Sequence, residues 1–522
     1  MDGKFKKRKV YLFAILLVFV ALASWLVKER VGFNFQDNTS QKEKAVMSSE
    51  VKEIIPEETE EVNDFAFSRK LEELTLEKKI PEKGRLIGVN LSTMELFLYE
   101  DGEVKESLSI LSKGREGSFW ETPSGLYDIK TKEENHFSSI GEVYMPYSMQ
   151  FYGNFFIHGW PYYPNGTPVS SGYSGGCIRL SNEDSQKVFA FASIGTSIFI
   201  YEKEKGIPEL SLKLSDVLPP KVTAISFLVA DLKTGDVFVE KNANEVRPIA
   251  SLTKLVTSLT ANENVSFDRS VEVVESEIYQ SKSDEGRFRK GDTFSIGNLL
   301  YPLLMESNNN IADSIAGYYG RSRFMEKMNE KAKAIGMKNS SFEDTSGLSS
   351  NNVSTAEDLY TLTKYLLDKS SFLLRISRTE NKTVVSDLGN TYSINNFNHF
   401  SGDLSFVGGK TGYTTDAKET MISVFKIPYG SEEREVAIIV LGSDDRQKDT
   451  KALKDWLSSS VVLDDSYIKM GFVGDLMFDR GVEMSILKNG ISLAGSRKTP
   501  TRFPPEYYSK LKLPWYYLNQ PA

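Results

Sequence analysis

Pro248-Ile249-Ala250-Ser251-Leu252-Thr253-Lys254 runs without a break into Leu255-Val256-Thr257-Ser258-Leu259, and the chain changes character at Ser251. Before it stands a proline-led extended segment, and after it an apolar helix. Three-residue spacing on a helix sets the Ser251 hydroxyl and the Lys254 amine on one face, a turn apart. The helix N-terminus adds backbone N–H groups that favour an anion there. A lysine kept neutral by burial and neighbouring cations would deprotonate the serine. Ser-x-x-Lys taken alone is common, and a plain helix cap is the competing reading.

Working outward, two more segments fall in register with it. Met305-Glu306-Ser307-Asn308-Asn309-Asn310 holds Ser-x-Asn at a helix start, and Gly408-Gly409-Lys410-Thr411-Gly412-Tyr413 ends a strand with Lys-Thr-Gly. Around them, strands are expected at 224–232 and 237–240 across a turn at Lys233-Thr234-Gly235-Asp236. A mainly helical stretch follows over 252–374, then strands at 406–409, 419–425 and 435–441 and a helix at 450–459. A sheet drawn from both ends of a domain, with helices inserted between, predicts an α/β sandwich.

The order Ser-x-x-Lys, Ser-x-Asn, Lys-Thr-Gly resembles the penicillin-recognising serine enzymes. With Leu228-Val229-Ala230-Asp231, Gly347-Leu348 and Ser354-Thr355-Ala356-Glu357-Asp358-Leu359, it is similar to the D-alanyl-D-alanine carboxypeptidase family over about 222–459. The resemblance implies Ser251 as the acylated nucleophile and Lys254 as its base. Ser307 and Asn309 would relay protons and hold the substrate amide. Lys410 and Thr411 would bind the terminal carboxylate of D-Ala-D-Ala, Gly412 and Tyr413 would also bind substrate, and the N–H groups of Ser251 and Tyr413 would form the oxyanion hole. β-Lactam antibiotics would be acylating inhibitors. A class A β-lactamase shares these motifs but needs a deacylating Glu, and the Gly347-Leu348 and Ser354-Thr355-Ala356 segments fit the carboxypeptidase better.

Upstream of a proline-bearing connector (204–221), a second candidate site lies among short strands. The single cysteine stands in Ser174-Gly175-Gly176-Cys177-Ile178-Arg179-Leu180, nineteen residues after His158-Gly159. A thiol needs a base or cation to ionise near neutral pH, and imidazole is the usual agent. Flanking glycines let the backbone approach a substrate and aim N–H groups at an oxyanion. A buried structural Cys and a nucleophile are both open on these residues alone. With Thr122-Pro123-Ser124-Gly125-Leu126-Tyr127, however, the order resembles the L,D-transpeptidase catalytic domain family over about 85–203. That resemblance implies Cys177 as the nucleophile attacking the L,D bond of a stem tetrapeptide and His158 as its base. Gly159 would orient His158 through its carbonyl, Arg179 would contact substrate carboxylate, and Gly176 would border the substrate. The family's usual His two places before the cysteine is Gly175 here, which bears on activity and substrate preference.

The flanks set the compartment. Lys4, Lys6, Lys7, Arg8 and Lys9 precede an apolar run over 10–27, roughly 18 residues and near the lower limit for a bilayer span. This predicts a short cytoplasmic segment (1–9), a transmembrane signal anchor (10–27) and an extracytoplasmic remainder on the cell-wall side. Cleavage after Ala21-Leu22-Ala23 is the other reading, and both export the chain. A charged linker is expected over 28–84. After 460, Phe472-Val473-Gly474-Asp475-Leu476-Met477 resembles the start of the capsule poly-γ-glutamate synthesis proteins, with Asp475 a metal ligand there. No His cluster follows, so 460–522 reads as a truncated start with a disordered tail, and neither metal nor cofactor is expected. The net charge of −8 without a basic domain argues against nucleic acid.

The expected architecture is therefore multidomain: an N-terminal transmembrane helix, a mostly-β L,D-transpeptidase domain, then an α/β sandwich of the serine β-lactamase and penicillin-binding type. The expected function is peptidoglycan remodelling on stem peptides, forming 3-3 cross-links at Cys177 and trimming terminal D-Ala at Ser251. A catalytically reduced wall-binding protein, or a first domain that is an L,D-carboxypeptidase, are the alternatives.

Overall fold

The computed structural model describes residues 69–71, 74–170, 172–202, 212–274, 288–289, 291–429 and 432–462. The expected anchor, most of the linker and the segment resembling capsule synthesis proteins lie outside them. Among the described residues, no helix is long and apolar enough to cross a membrane.

In the first domain a five-stranded sheet runs in the order Glu103–Ser109, Glu95–Glu100, Arg85–Asn90, Ser197–Tyr201, Gly125–Asp128. Only Arg85–Asn90 and Ser197–Tyr201 pair in parallel. Successive side chains on a strand face opposite ways. Ile87 and Val89 thus join Leu96, Leu98 and Ile198 in the domain core, while Leu86 turns outward to Tyr99 and Phe199. Asp101 and Gly102, both at positive φ (52° and 83°), make the tight turn expected there.

The outer face of this sheet is covered by Leu74, Leu76 and Ile80. Arg69–Lys70 adds an edge strand to Asp236–Lys241 of the second domain, where Arg69 pairs with Glu240 and Glu357. The last part of the segment expected to be a solvated linker is therefore built into the fold. Its apolar residues are interleaved with Glu and Lys in Leu71-Glu72-Glu73-Leu74-Thr75-Leu76-Glu77-Lys78-Lys79-Ile80, which hid the pattern.

A four-stranded sheet carries the cysteine. Its order is Thr131–Ser138, Val143–Tyr152, Phe155–His158, Ile178–Arg179, and the last pair is parallel, with Ile157 opposite Ile178 and His158 opposite Arg179. The outer strand, Thr131–Ser138, was not anticipated. It is polar and largely exposed, as a sheet edge tolerates. The helix Asn182–Phe191 starts where the Ser181 side chain accepts from the Asp184 N–H at 2.9 Å.

The second domain is the expected sandwich. Six strands, antiparallel throughout, run in the order Arg69–Lys70, Asp236–Lys241, Ser226–Asp231, Glu432–Ser443, Lys418–Tyr429, Phe406–Thr414. One face places Leu228, Ala230, Ile422 and Ile439 against the inserted helices. The other places Phe227, Val229, Phe425 and Ile438 against Leu453, Trp456 and Leu457 of the helix Arg446–Ser460.

At the centre lies the helix Thr253–Asn264, called the serine helix below. It is buried at every position but Asn262 although two thirds of its residues are polar. Its hydroxyls turn back to backbone carbonyls, Thr257 to Thr345 at 2.6 Å and Ser258 to Leu255 at 2.8 Å, so their burial leaves few unmet donors.

The two domains meet along the far end of this helix. Lys331, fully buried, pairs with Glu263 at 2.8 Å and donates to the Tyr127 and Tyr365 hydroxyls at 2.8 and 3.1 Å. Burial pushes Lys331 down and Glu263 up, and their attraction opposes both shifts. Phe119 stacks on Phe267 with ring centroids 3.9 Å apart, and Lys369 bridges Glu121 and Glu202 at 3.0 and 2.6 Å.

Candidate active sites

Ser251 sits in a 3-10 turn, Ala250–Leu252, that feeds the serine helix. Ala250 has φ 49°, a left-handed conformation costly for a residue with a Cβ. It is held there by close packing: a Cβ added to Gly347 (φ 85°) would stand 1.9 Å from the Ala250 carbonyl oxygen. The strained turn aims Ser251 back toward its own helix. Lys254, completely buried, lies 2.9 Å from Ser251 Oγ, 2.8 Å from Asn309 Oδ1 and 2.6 Å from the Ser346 carbonyl. The last two oxygens can only accept. The amine donates to both, and it also contacts the serine oxygen. The Ser346 carbonyl was not foreseen, because a backbone acceptor leaves no trace in residue type.

Asn309 opens the helix Asn309–Tyr319, with Asn308 as its cap. Ser307 lies before it on left-handed backbone (φ 60°), and its buried hydroxyl has no hydrogen-bond partner among the described residues. The Ser-x-Asn motif thus straddles the start of the helix, as expected, while Met305 ends the preceding helix Ile296–Met305. Lys410 and Thr411 lie on the edge strand Phe406–Thr414, opposite Ile422 and Met421. Gly412 comes so close to the serine turn that a Cβ would meet Ser251 N at 2.8 Å. The Gly412 carbonyl accepts from Arg446 at 3.0 Å, and Tyr413 is exposed. Burial, then the charges of Lys254 and Arg446, holds Lys410 well below the usual lysine range. A cavity of about 330 Å³ lies beside Thr411, bordered by His399, Glu419 and Arg446.

Cys177 stands just before Ile178, level with Phe156, whose N–H faces the sulfur. His158 is buried, and its Nδ1 lies 2.6 Å from the Gly159 carbonyl. A carbonyl only accepts, so Nδ1 carries the proton and Nε2 keeps the lone pair. Burial lowers His158 from its ordinary value near 6.5 to about 4, against the Gly159 hydrogen bond, with Arg179 and His136 adding to the drop. The imidazole is neutral at neutral pH, as a base must be. The thiol is pushed up to about 11 by burial, opposed by the Phe156 N–H and by Arg179. It donates to the Asn154 carbonyl at 3.7 Å.

Arg179, opposite His158, lies over Trp160 at 5.7 Å, and its Nε is buried without a partner among the described residues. Gly176 (φ 95°) passes where a Cβ would strike the Phe155 ring at 2.3 Å, and its carbonyl accepts from Thr122 at 2.9 Å. Thr122, in the upstream motif, also receives the Gly114 N–H at 2.9 Å. The motif's role is thus to pin the loop in front of the cysteine. Gly175 is exposed, and nothing lies within 4 Å of a Cβ built there.

A serine under a buried lysine, beside an edge strand that brings a second lysine and a glycine against it, defines an active-serine acyl-transfer enzyme of the penicillin-recognising class. Residues 214–445 match the family model for D-alanyl-D-alanine carboxypeptidase, and residues 84–200 that for the L,D-transpeptidase catalytic domain. The D-alanyl-D-alanine endopeptidases of Escherichia coli and Pseudomonas aeruginosa are 31% and 32% identical over 255 and 253 residues, 47% of this chain and 80% of each relative. Solved structures with likeness include the D-alanyl-D-alanine carboxypeptidase of Mycobacterium tuberculosis (25% identical, TM-score 0.42, 48% of this chain and 99% of that one). Another is the ampicillin-bound penicillin-binding protein D2 of Listeria monocytogenes (28%, TM-score 0.40, 45% and 97%). The chain belongs to the D-alanyl-D-alanine carboxypeptidase family and carries an L,D-transpeptidase catalytic domain in front of it. It is a peptidoglycan-remodelling enzyme.

Proposed function

We propose that the two sites act in series on stem peptides. Ser251, deprotonated by Lys254, attacks the terminal D-Ala-D-Ala bond, with Asn309 holding the substrate amide and Ser307 relaying the proton. Lys410 and Thr411 take the terminal carboxylate, and the N–H groups of Ser251 and Tyr413 receive the oxyanion. The terminal D-Ala leaves as its amine takes up the relayed proton, and water then hydrolyses the acyl-serine ester to release a tetrapeptide. Cys177, giving its proton to His158, then forms a thioester at the L,D bond as the terminal D-Ala leaves and its amine takes the proton from His158. Arg179 contacts substrate carboxylate, and an amine from a second stem displaces the thiol to give a 3-3 cross-link. Holding both domains on one chain raises the effective concentration of the intermediate.

The observation that carries the reading is the amine of Lys254 at 2.9 Å from Ser251 Oγ. The basic cluster and apolar run at 1–27 favour an anchored chain with both sites on the wall side of the membrane. A fluorescent penicillin tests the serine site: it should label the parent chain and leave Ser251→Ala unlabelled. A parent chain that never takes the label would refute an activated serine and favour a wall-binding protein.

A further inference from the structure

The thiol's surroundings do not end with its own domain. Its hydrogen-bond acceptor, the Asn154 carbonyl, lies in the turn Gly153-Asn154 between Val143–Tyr152 and Phe155–His158. That turn rests on Asn264, the last residue of the serine helix. The Asn154 side chain donates to the Asn264 carbonyl at 3.3 Å, and the Asn264 side chain donates to the Tyr152 hydroxyl at 3.1 Å. Gly153 (φ 48°) lies so close that a Cβ there would meet Asn264 Oδ1 at 2.4 Å. Asn264 is itself buried and tied to its helix through Thr260, 2.9 Å away. The helix that follows directly on the Ser251 turn thus ends on the turn that accepts the thiol's hydrogen bond.

We infer that Asn264 is a positioning residue for Cys177: through Asn154 and Tyr152 it fixes the carbonyl that holds the thiol, so the serine domain sets the geometry and acidity of the cysteine site. The inference rests on Cys177 being the nucleophile of the transfer reaction. In physical terms, a carbonyl accepting from S–H stabilises the protonated thiol and fixes the direction in which the sulfur presents itself. A turn freed from Asn264 no longer does either.

The test uses the full chain as parent, Asn154→Ala and Asn264→Ala. Iodoacetamide reports the single cysteine without ambiguity, and its rate is followed from neutral pH upward. Transfer kcat and KM are measured alongside, with penicillin labelling of Ser251 as the check that the serine domain is intact. Both variants should move the alkylation midpoint down by half a pH unit or more, about a threefold rise in thiolate below the midpoint. Transfer kcat should fall about fivefold or more, with KM and penicillin labelling within twofold of the parent. Asn154 is exposed, so its truncation leaves the fold in place even if Asn264→Ala does not. An Asn154→Ala chain with the parent's alkylation midpoint, kcat and labelling would overturn the inference. A parent without transfer activity would instead refute the role of Cys177, and the alkylation midpoints would still decide whether Asn264 acts on the thiol.

Discussion

Acidifying the protein from pH 7.5 to pH 4 should weaken it through one identifiable side chain, His158. The folded protein holds this imidazole near 4, whereas the unfolded chain titrates it near 6.5. Above 6.5 neither state binds the proton, and His158 adds nothing to the pH dependence. Between 6.5 and 4 the unfolded chain takes up a proton that the folded one refuses, so stability falls as pH falls. Below 4 both are protonated and the loss levels off. A gap of about 2.5 units, at about 1.36 kcal/mol each, amounts to roughly 3 kcal/mol. Carboxylates also titrate in this range, so the perturbation is His158→Gln and the measured quantity is a difference. Urea unfolding of both chains at half-unit steps, followed by near-UV signal from the first domain, should show the parent losing roughly 3 kcal/mol more than the variant across this window. The same neutrality keeps transfer activity flat down to about pH 5. Parallel stability profiles for the two chains would refute a buried, neutral imidazole and, with it, the base assigned to the thiol.

Two further outcomes follow from buried lysines. Lys410 is held well below the usual lysine range by burial and by Lys254 and Arg446, so a bound carboxylate should draw a proton onto it. Calorimetry of a D-Ala-D-Ala peptide binding to Ser251→Ala, in buffers of differing ionisation enthalpy at pH 8, should show net proton uptake, absent in Lys410→Met. Lys331→Met leaves Glu263 buried without its cation at the domain boundary. It should destabilise the protein by about 3–5 kcal/mol, read as a lower urea midpoint, and adding Glu263→Gln should recover part of the loss.

Much of this was legible in the chain itself. The sandwich followed from apolar strands at both ends of one domain, and Ser251 and Asn309, from two of the three serine-site motifs, both meet the Lys254 amine. Gly159 meets the imidazole through its carbonyl as expected. What stayed hidden was carried by backbone atoms or by distant partners. The Ser346 and Asn154 carbonyls belong to no residue type. The strand Arg69–Lys70 is too short and too polar to show a period of two. Lys331 reads as one more surface charge on Arg321–Ile335 until Tyr127 and Glu263 close over it. Thr122 was seen as part of a family motif, but its work of gripping Gly114 and Gly176 appears only once those segments are brought together.

Product analysis by mass spectrometry bears most directly on the claim that one chain trims and then joins stems. With pentapeptide stems as the sole substrate, the parent should yield tetrapeptides and 3-3 linked dimers. Cys177→Ala should give tetrapeptides alone, and Ser251→Ala should give dimers only when tetrapeptide is added. Dimers formed by Ser251→Ala from pentapeptide alone would contradict the serial account.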